Sequence, residues 1–280
     1  MSMAMKTLLA SSWLAAFALL LAASPGPVTA SEEPDEVPTA DPRGNYEQTI
    51  KYLQRARAMQ PTVVSPEMHV FKIDEDVWMH RSYISLGDQR LHANGLFFVG
   101  QDGITIIDAP WTPIASYDLL DWLEANFDVP VRRLVITHAH EDRLGGIDPF
   151  VERNTPVYGT ADTADTARQR GWYAPNYTFD IDLPLPVGDR AIELLHPGPG
   201  HTEDNIVVWV PHAKVLFGGC MVKSRYAGSL GFTGDANEPA WPTSLRRMMS
   251  RYPDAKLVIP GHGLPGDQEL VEHTLDLLED

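Results

Sequence analysis

Short apolar runs recur along the chain from about residue 67 onward. They lie at residues 95–99, 104–108, 133–137, 191–196, 205–210, 214–219 and 256–260 and are rich in Val, Ile, Leu and Phe. Runs of this length and composition predict strands. Between and after them the apolar positions recur every three or four residues instead. Residues 113–127 place Ile114, Leu119, Leu120, Leu123 and Phe127 on one face. Residues 242–252 open on Pro242 and repeat Leu245, Met248/Met249 and Tyr252. Residues 266–278 repeat Leu270, Thr274 and Leu277/Leu278. That period predicts three helices. Strands mixed with helices over this length predict one α/β domain of layered sheets.

The first thirty residues follow another pattern. Lys6 gives a positive start, residues 7–23 are apolar, and Ser24-Pro25-Gly26-Pro27 breaks the run before Val28-Thr29-Ala30. This predicts a signal peptide cleaved after Ala30. The competing reading is an uncleaved anchor, but the apolar run is near the short limit for spanning a bilayer. No cysteine stands at the junction to carry a lipid. The expectation is a periplasmic or secreted protein with no stable membrane association after cleavage. Residues 31–66 read as an acidic, Pro-rich linker with a short helix at 46–60, ended by Pro61. Residues 67–280 then form the folded domain.

Composition narrows the function classes. The chain has 280 residues, 44% hydrophobic and 21% charged, which supports a folded core. It carries 22 basic and 38 acidic residues, a net charge of -16. Losing Lys6 with the leader leaves 21 against 38, a net of -17. That balance excludes a nucleic-acid binder, which needs a basic face. The single cysteine, Cys220, excludes an internal disulfide and leaves a thiol, ligand or core role.

The chemistry-bearing residues collect where the predicted strands end. The run at 133–137 passes straight into His138-Ala139-His140-Glu141-Asp142. Imidazole and carboxylate suit Zn²⁺, and residues two apart in an extended segment project to one side. His138 and His140 are thus placed to grip one ion, and Asp142 a neighbouring one. The runs at 191–196, 214–219 and 256–260 lead in turn to His201, Cys220 and His262. Taken singly, a cysteine after a strand is core packing and a loop histidine is solvated. Taken together, they gather where α/β sheets build their sites, outside the carboxyl ends of strands. The economical reading is two zinc ions per chain, three histidines on one and Asp142, Cys220 and His262 on the other. Three protein ligands leave an open position, the mark of catalytic zinc, and a hydroxide between the ions would be the nucleophile. A non-catalytic zinc carrier or structural domain would favour closed four-ligand sites instead.

The segments THAHEDRLGG, PGPGHTEDN, VLFGGCMVK and LVIPGHG resemble the class B metallo-β-lactamases, and specifically the first subclass. The resemblance spans residues 77–278 and includes VWMHRSY, ANGLFFV, IIDAPW and DANEPAWPTSL in order. It implies a four-layer αββα sandwich with a dizinc site at one edge, hydrolysis of the β-lactam amide of penicillins, cephalosporins and carbapenems, and antibiotic resistance. Small-molecule β-lactams are then the partners, and nothing demands more than a monomer. By the same resemblance His138, His140 and His201 hold the first zinc, and Asp142, Cys220 and His262 the second. Asp142 also orients the hydroxide, and Lys223 pairs with the antibiotic's carboxylate.

Two further positions bear on this assignment. Relatives in the wider superfamily, such as glyoxalase II, carry a histidine ligand where Arg143 stands and a bridging Asp where Cys220 stands. A guanidinium cannot ligate, so Arg143 is expected behind the second zinc, balancing Asp142 and Cys220. Both departures argue against the alternative, a dizinc hydrolase of lactones or thioesters. Phe232 stands where the lactamases usually have an Asn that donates to the substrate. A missing oxyanion donor costs up to a few kcal/mol where it is the main stabiliser, and zinc polarising the same oxygen reduces that. Phe232 either faces substrate or packs on its own loop, and Trp111 either lines the floor or is a half-buried core residue. Residues 84–94 are expected as a mobile flap and residues 221–236 as the opposite wall. His196 is a candidate supporting residue. His69, His80, His92, His212 and His273 read as structural or surface.

Export is expected to leave Ser31 at the N-terminus. N-terminal sequencing of the protein recovered from the periplasm or medium checks this, and a start at Met1 would show a retained anchor.

Overall fold

The computed structural model describes Ile50, Gln54 and residues 58–279. The leader and most of the expected linker and short helix lie outside the described residues, although Ile50, Gln54 and Ala58 are helical. Eight strands form one sheet in chain order: β1 (Thr62–Ser65), β2 (Met68–Lys72), β3 (Val77–Leu86), β4 (Gln89–Gly100), β5 (Gly103–Ile107), β6 (Val131–Val135), β7 (Val157–Thr160) and β8 (Tyr177–Phe179). Pairing is antiparallel up to β5 and parallel from β5 to β8. The second sheet comprises β9 (Asp182–Val187), β10 (Arg190–Leu195), β11 (Val207–Val210), β12 (Val215–Gly219) and β13 (Leu257–Pro260), in the order β13-β12-β11-β10-β9. Helices α1 (Pro113–Asn126), α2 (Glu141–Leu144), α3 (Asp148–Glu152) and α4 (Ala161–Gln169) connect strands of the first sheet. Helices α5 (Trp241–Arg251) and α6 (Glu269–Glu279) flank β13.

Alternation along each strand sets the four layers. In β4, Leu96 and Phe98 face the second sheet while Phe97 faces α1. In β6, Val135 points between the sheets and Leu134 outward. In the second sheet, Val208, Val210, Val215 and Phe217 enter the central core, whereas Val207, Trp209 and Leu216 pack against α5 and α6. Both faces of both sheets are therefore covered. Strands buried on two faces read as continuous apolar runs, which is why these strands stand out in the sequence. The result is a four-layer αββα sandwich.

Several elements differ from the sequence expectation. Residues 84–94 are the paired arms of the β3–β4 hairpin, turning at Gly87-Asp88, and not a loop. β1 lies within the stretch read as linker and pairs with β2. β9 carries Pro184 and Pro186, which mask a strand pattern; as an edge strand it tolerates them. Ile114 is 66% exposed, and α1 instead buries Ala115, Leu119, Leu120 and Leu123. Its start is set by Thr112, whose side chain accepts from Ala115 N–H, with Pro113 in the first turn. α6 begins at Glu269, because Gly266 is still paired with Val258.

Phe97 is fully buried, stacked on Trp78 at 5.7 Å and edge-on to Trp122 and Phe127. Phe97→Ala is expected to lower stability by about 3–5 kcal/mol, read as the loss in urea unfolding. A change of only a few tenths would mean that this cluster does not hold the outer layer.

Candidate metal centre

Four chain segments meet at one edge of the sandwich, and backbone hydrogen bonds tie them across it. Ile206 N–H donates to Thr137 C=O at 2.9 Å, joining the two sheets. Asn94 N–H on β4 donates to Gly261 C=O, and Gly261 N–H donates to Gly219 C=O, both at 2.8 Å. β6 therefore delivers His138 and His140 beside the His201 loop, and β12 and β13 deliver Cys220 and His262. Gly219 turns the chain with φ +54, in the left-handed region that glycine favours. A side chain at Gly261 would begin 2.6 Å from Cys220 Sγ and 2.7 Å from Arg143 Nη2. No other residue fits there without displacement.

The three imidazoles of His138, His140 and His201 stand edge-on, with centroids 4.7–5.0 Å apart. His140 Nδ1 and His201 Nε2 approach to 3.2 Å. Burial lowers the pKa of His138 and of His201 well below the usual imidazole value, with His140 adding to the effect for His138 and Lys223 for His201. Both rings stay neutral, the state that ligates. His138 Nε2 is buried without any hydrogen-bond partner. An orphaned buried nitrogen is costly unless something binds it, so the donor set fits a metal ion.

Asp142, Cys220 and His262 form a second group whose ligand atoms all lie within 4.8 Å of one another. His138, His201 and Cys220 meet the same limit, as do His138, His140 and Asp142. The six residues thus form one continuous cluster. Arg143 lies directly behind it and is fully buried. Its Nη2 is 2.8 Å from Asp142 Oδ2 and 2.9 Å from Cys220 Sγ, and it also donates to Gly261 C=O at 3.0 Å. Its Nη1 donates to Asn94 C=O and lies 3.3 Å from Asp108 Oδ2. Burial alone would raise the pKa of Asp142, but Arg143 and His262 hold it well below the usual carboxylate range. His262 shows the reverse balance. Burial would lower its pKa, yet the Cys220 and Asp142 charges raise it to about 9.

Several partners of these residues were given no contact with the site by the sequence. Asp108 accepts from Thr137 N–H at 2.8 Å and from its hydroxyl at 2.9 Å, fixing the entry to the His138 segment. Burial raises its pKa to about 7 against the pull of Arg143 and Thr137. Asp235 accepts from His140 Nε2 at 2.8 Å. His92 does more than the structural role expected of it. Its carbonyl accepts from His262 Nδ1 at 2.6 Å and its Nε2 accepts from Gly263 N–H at 2.8 Å. Arg81 and Asn94 hold Gly263 C=O at 2.7 and 2.8 Å. His196 donates from Nδ1 to Asn205 C=O at 2.7 Å, bracing the loop that carries His201 without touching that ring.

The remaining expected residues frame the opening. Lys223 Nζ lies 5.4 Å from the centroid of the Trp241 ring and forms no ion pair with a described residue. Phe232 is 55% exposed, edge-on to His140 at 5.6 Å and packed on Gly234. It therefore both faces the opening and packs on its own loop. Trp111 is half-buried, its ring 6.0 Å from that of His262, with its backbone N–H donating to Ser82 Oγ.

Residues 89–262 match the Metallo-beta-lactamase superfamily domain. The chain is 37% identical over 234 residues to the metallo-beta-lactamase type 2 of Bacillus sp. (strain 170), covering 82% of this chain and 91% of that one. It is 36% identical to that of Bacillus cereus over the same shares. The structure superposes on a metallo-beta-lactamase from Pontibacter korlensis with a TM-score of 0.74 and 39% identity, covering 76% of this chain and 99% of that one.

Removing the guanidinium leaves Asp108, Asp142 and Cys220 buried without it. Arg143→Ala is expected to cost about 3–5 kcal/mol, measured by urea unfolding of the metal-free protein. Arg143→Lys keeps the charge but not the fork, and metal affinity should fall about 10–100-fold in competition with a chelator. Parent-like values in both variants would remove Arg143 from the centre of the site.

Proposed function

The chain belongs to the metallo-β-lactamase superfamily, among its class B hydrolases, and from that premise we propose that it opens the amide of penicillins, cephalosporins and carbapenems with two zinc ions. His138, His140 and His201 would hold one ion, and Asp142, Cys220 and His262 the other. The observation that carries this reading is the place of Arg143, 2.8 Å from Asp142 and 2.9 Å from Cys220. A non-ligating cation there compensates a carboxylate and a thiolate, and leaves Asp142, Cys220 and His262 to face one point.

Bound zinc supplies a hydroxide nucleophile at neutral pH and polarises the amide carbonyl. The chain's own groups position the reactants. Asp142, anchored by Arg143 and by His262 at 3.1 Å, is fixed to orient the attacking group. Lys223 offers its ammonium to the antibiotic's carboxylate. Phe232 beside His140 and Trp111 beside His262 are apolar flanks for the substrate. Phe232 donates no hydrogen bond, so nothing from that position assists the oxyanion. Water supplies the proton to the departing nitrogen. The protein acts as an exported monomer and confers antibiotic resistance.

The test is hydrolysis of a penicillin, a cephalosporin and a carbapenem by the chain from Ser31, with zinc and after chelation, with bound zinc counted on the same sample. Zinc-dependent turnover near two bound ions is expected. Two ions without β-lactam turnover would overturn the substrate and direct attention to lactones and thioesters. Lys223→Ala should raise KM roughly tenfold with kcat little changed; an unchanged KM would remove Lys223 from carboxylate binding.

A further inference from the structure

His140 is held from both ends by groups remote in sequence. On its backbone side, Ala139 N–H donates to Asp204 Oδ2 at 2.9 Å, while Ala139 C=O accepts from Arg170 Nη1 at 2.8 Å. On its ring side, Asp235 Oδ2 lies 2.8 Å from His140 Nε2. Arg170 Nη2 reaches the same Asp235 oxygen at 2.7 Å. One guanidinium thus joins the backbone that carries His140 to the carboxylate that orients its ring.

The chain fixes Arg170 well enough to do this. Arg170 caps the C-terminus of α4, and Gly171, with φ +72, follows it. Gly171 N–H donates to Arg168 C=O and Trp172 N–H to Ala167 C=O, at 3.0 and 2.9 Å. This is the paired closure of a Schellman motif, and Trp172 anchors it in the outer core. The Arg170 side chain remains 31% exposed, so its loss leaves no buried void.

We propose that Arg170 is a positioning residue for the three-histidine metal site, acting through Asp235 and the Ala139 carbonyl to fix which ring nitrogen His140 presents. A carboxylate only accepts, so Asp235 obliges His140 Nε2 to carry the proton. The lone pair is left on Nδ1, the atom facing His201. Asp235 has rotational freedom of its own, and the planar fork of Arg170 removes it by bonding two acceptors at once. Lysine, with a single point of charge, cannot span both.

This inference rests on the reading that the three histidines hold an ion. Its test is cobalt(II) titration of the full chain, of Arg170→Ala, Arg170→Lys and Asp235→Ala, and of the double variant. The near-ultraviolet thiolate band reports the Cys220 site, and the visible ligand-field bands report the histidine site. Arg170→Ala should weaken the histidine site about tenfold, the lower range for loss of such a partner, and leave the thiolate site as in the parent. Arg170→Lys should fall between. The double variant should fall short of the sum of the two single losses, because Arg170 acts in series with Asp235 on the ring side and only its bond to the Ala139 carbonyl is independent of Asp235. Unchanged affinity at the histidine site, or an equal fall at both sites, overturns the proposal. A parent that binds no cobalt at the histidines overturns the metal reading together with it, which separates the two failures.

Discussion

A guanidinium buried between two sheets is the constraint on which the rest of the structure depends. Arg143 is 0% exposed and meets Asp142 and Cys220, with Asp108 at its other nitrogen. Taking a cation out of water costs several kcal/mol unless opposite charge and hydrogen bonds replace the solvent. Here the replacement comes from both sheets: Asp108 and Asn94 from the first, Cys220 and Gly261 from the second. The ion network therefore closes only when the two sheets pack in one relation, the relation that brings the six ligand-type residues together. Gly261 shows how little slack is left, since a Cβ there would intrude on both Cys220 Sγ and Arg143 Nη2.

The same burial acts oppositely on the two halves of the cluster. Around His138 and His201 the nearby Asp142 charge is outweighed by desolvation, so their protons are held weakly and the rings are ready to donate lone pairs. Around His262 the Cys220 and Asp142 charges outweigh desolvation, and its pKa stands near 9. In the metal-free protein a proton on His262 partly neutralises the anionic half, a place that a dication would take over. Burial thus prepares a neutral donor set beside a negatively charged one.

The opening of the site carries its own consequence. The net charge is -16, which gives no long-range attraction for an anionic substrate. Capture has to come from local positive charge, and Lys223 stands at the opening without an ion-pair partner among the described residues. Phe232 contributes exposed apolar surface beside His140 and no hydrogen-bond donor. Under the proposed function, the opening would recognise shape and one carboxylate more than it reads hydrogen bonds.

Much of this was legible along the chain. The central strands announced themselves because both their faces are buried, so their residues are apolar without interruption. The ligand types were legible because His138, His140, His201, Cys220 and His262 each lie within a few residues after such a run, and local order carries that information. β9 was hidden by its prolines, and the hairpin arms at 84–94 by their polar residues, because edge position and pairing partner decide those elements. Asp108 and Asp235 sat in recognisable motifs and His92 read as structural, but nothing along the chain indicated which residues they hold. Asp235 lies 95 residues from His140, and Asp108 35 from Arg143. Periodicity and residue chemistry, which act between chain neighbours, determined by themselves the mixed α/β class and the kinds of ligand. Which carboxylate holds which ring, and which imidazole keeps its proton, depends on distance and desolvation in space, and only the tertiary structure decided that.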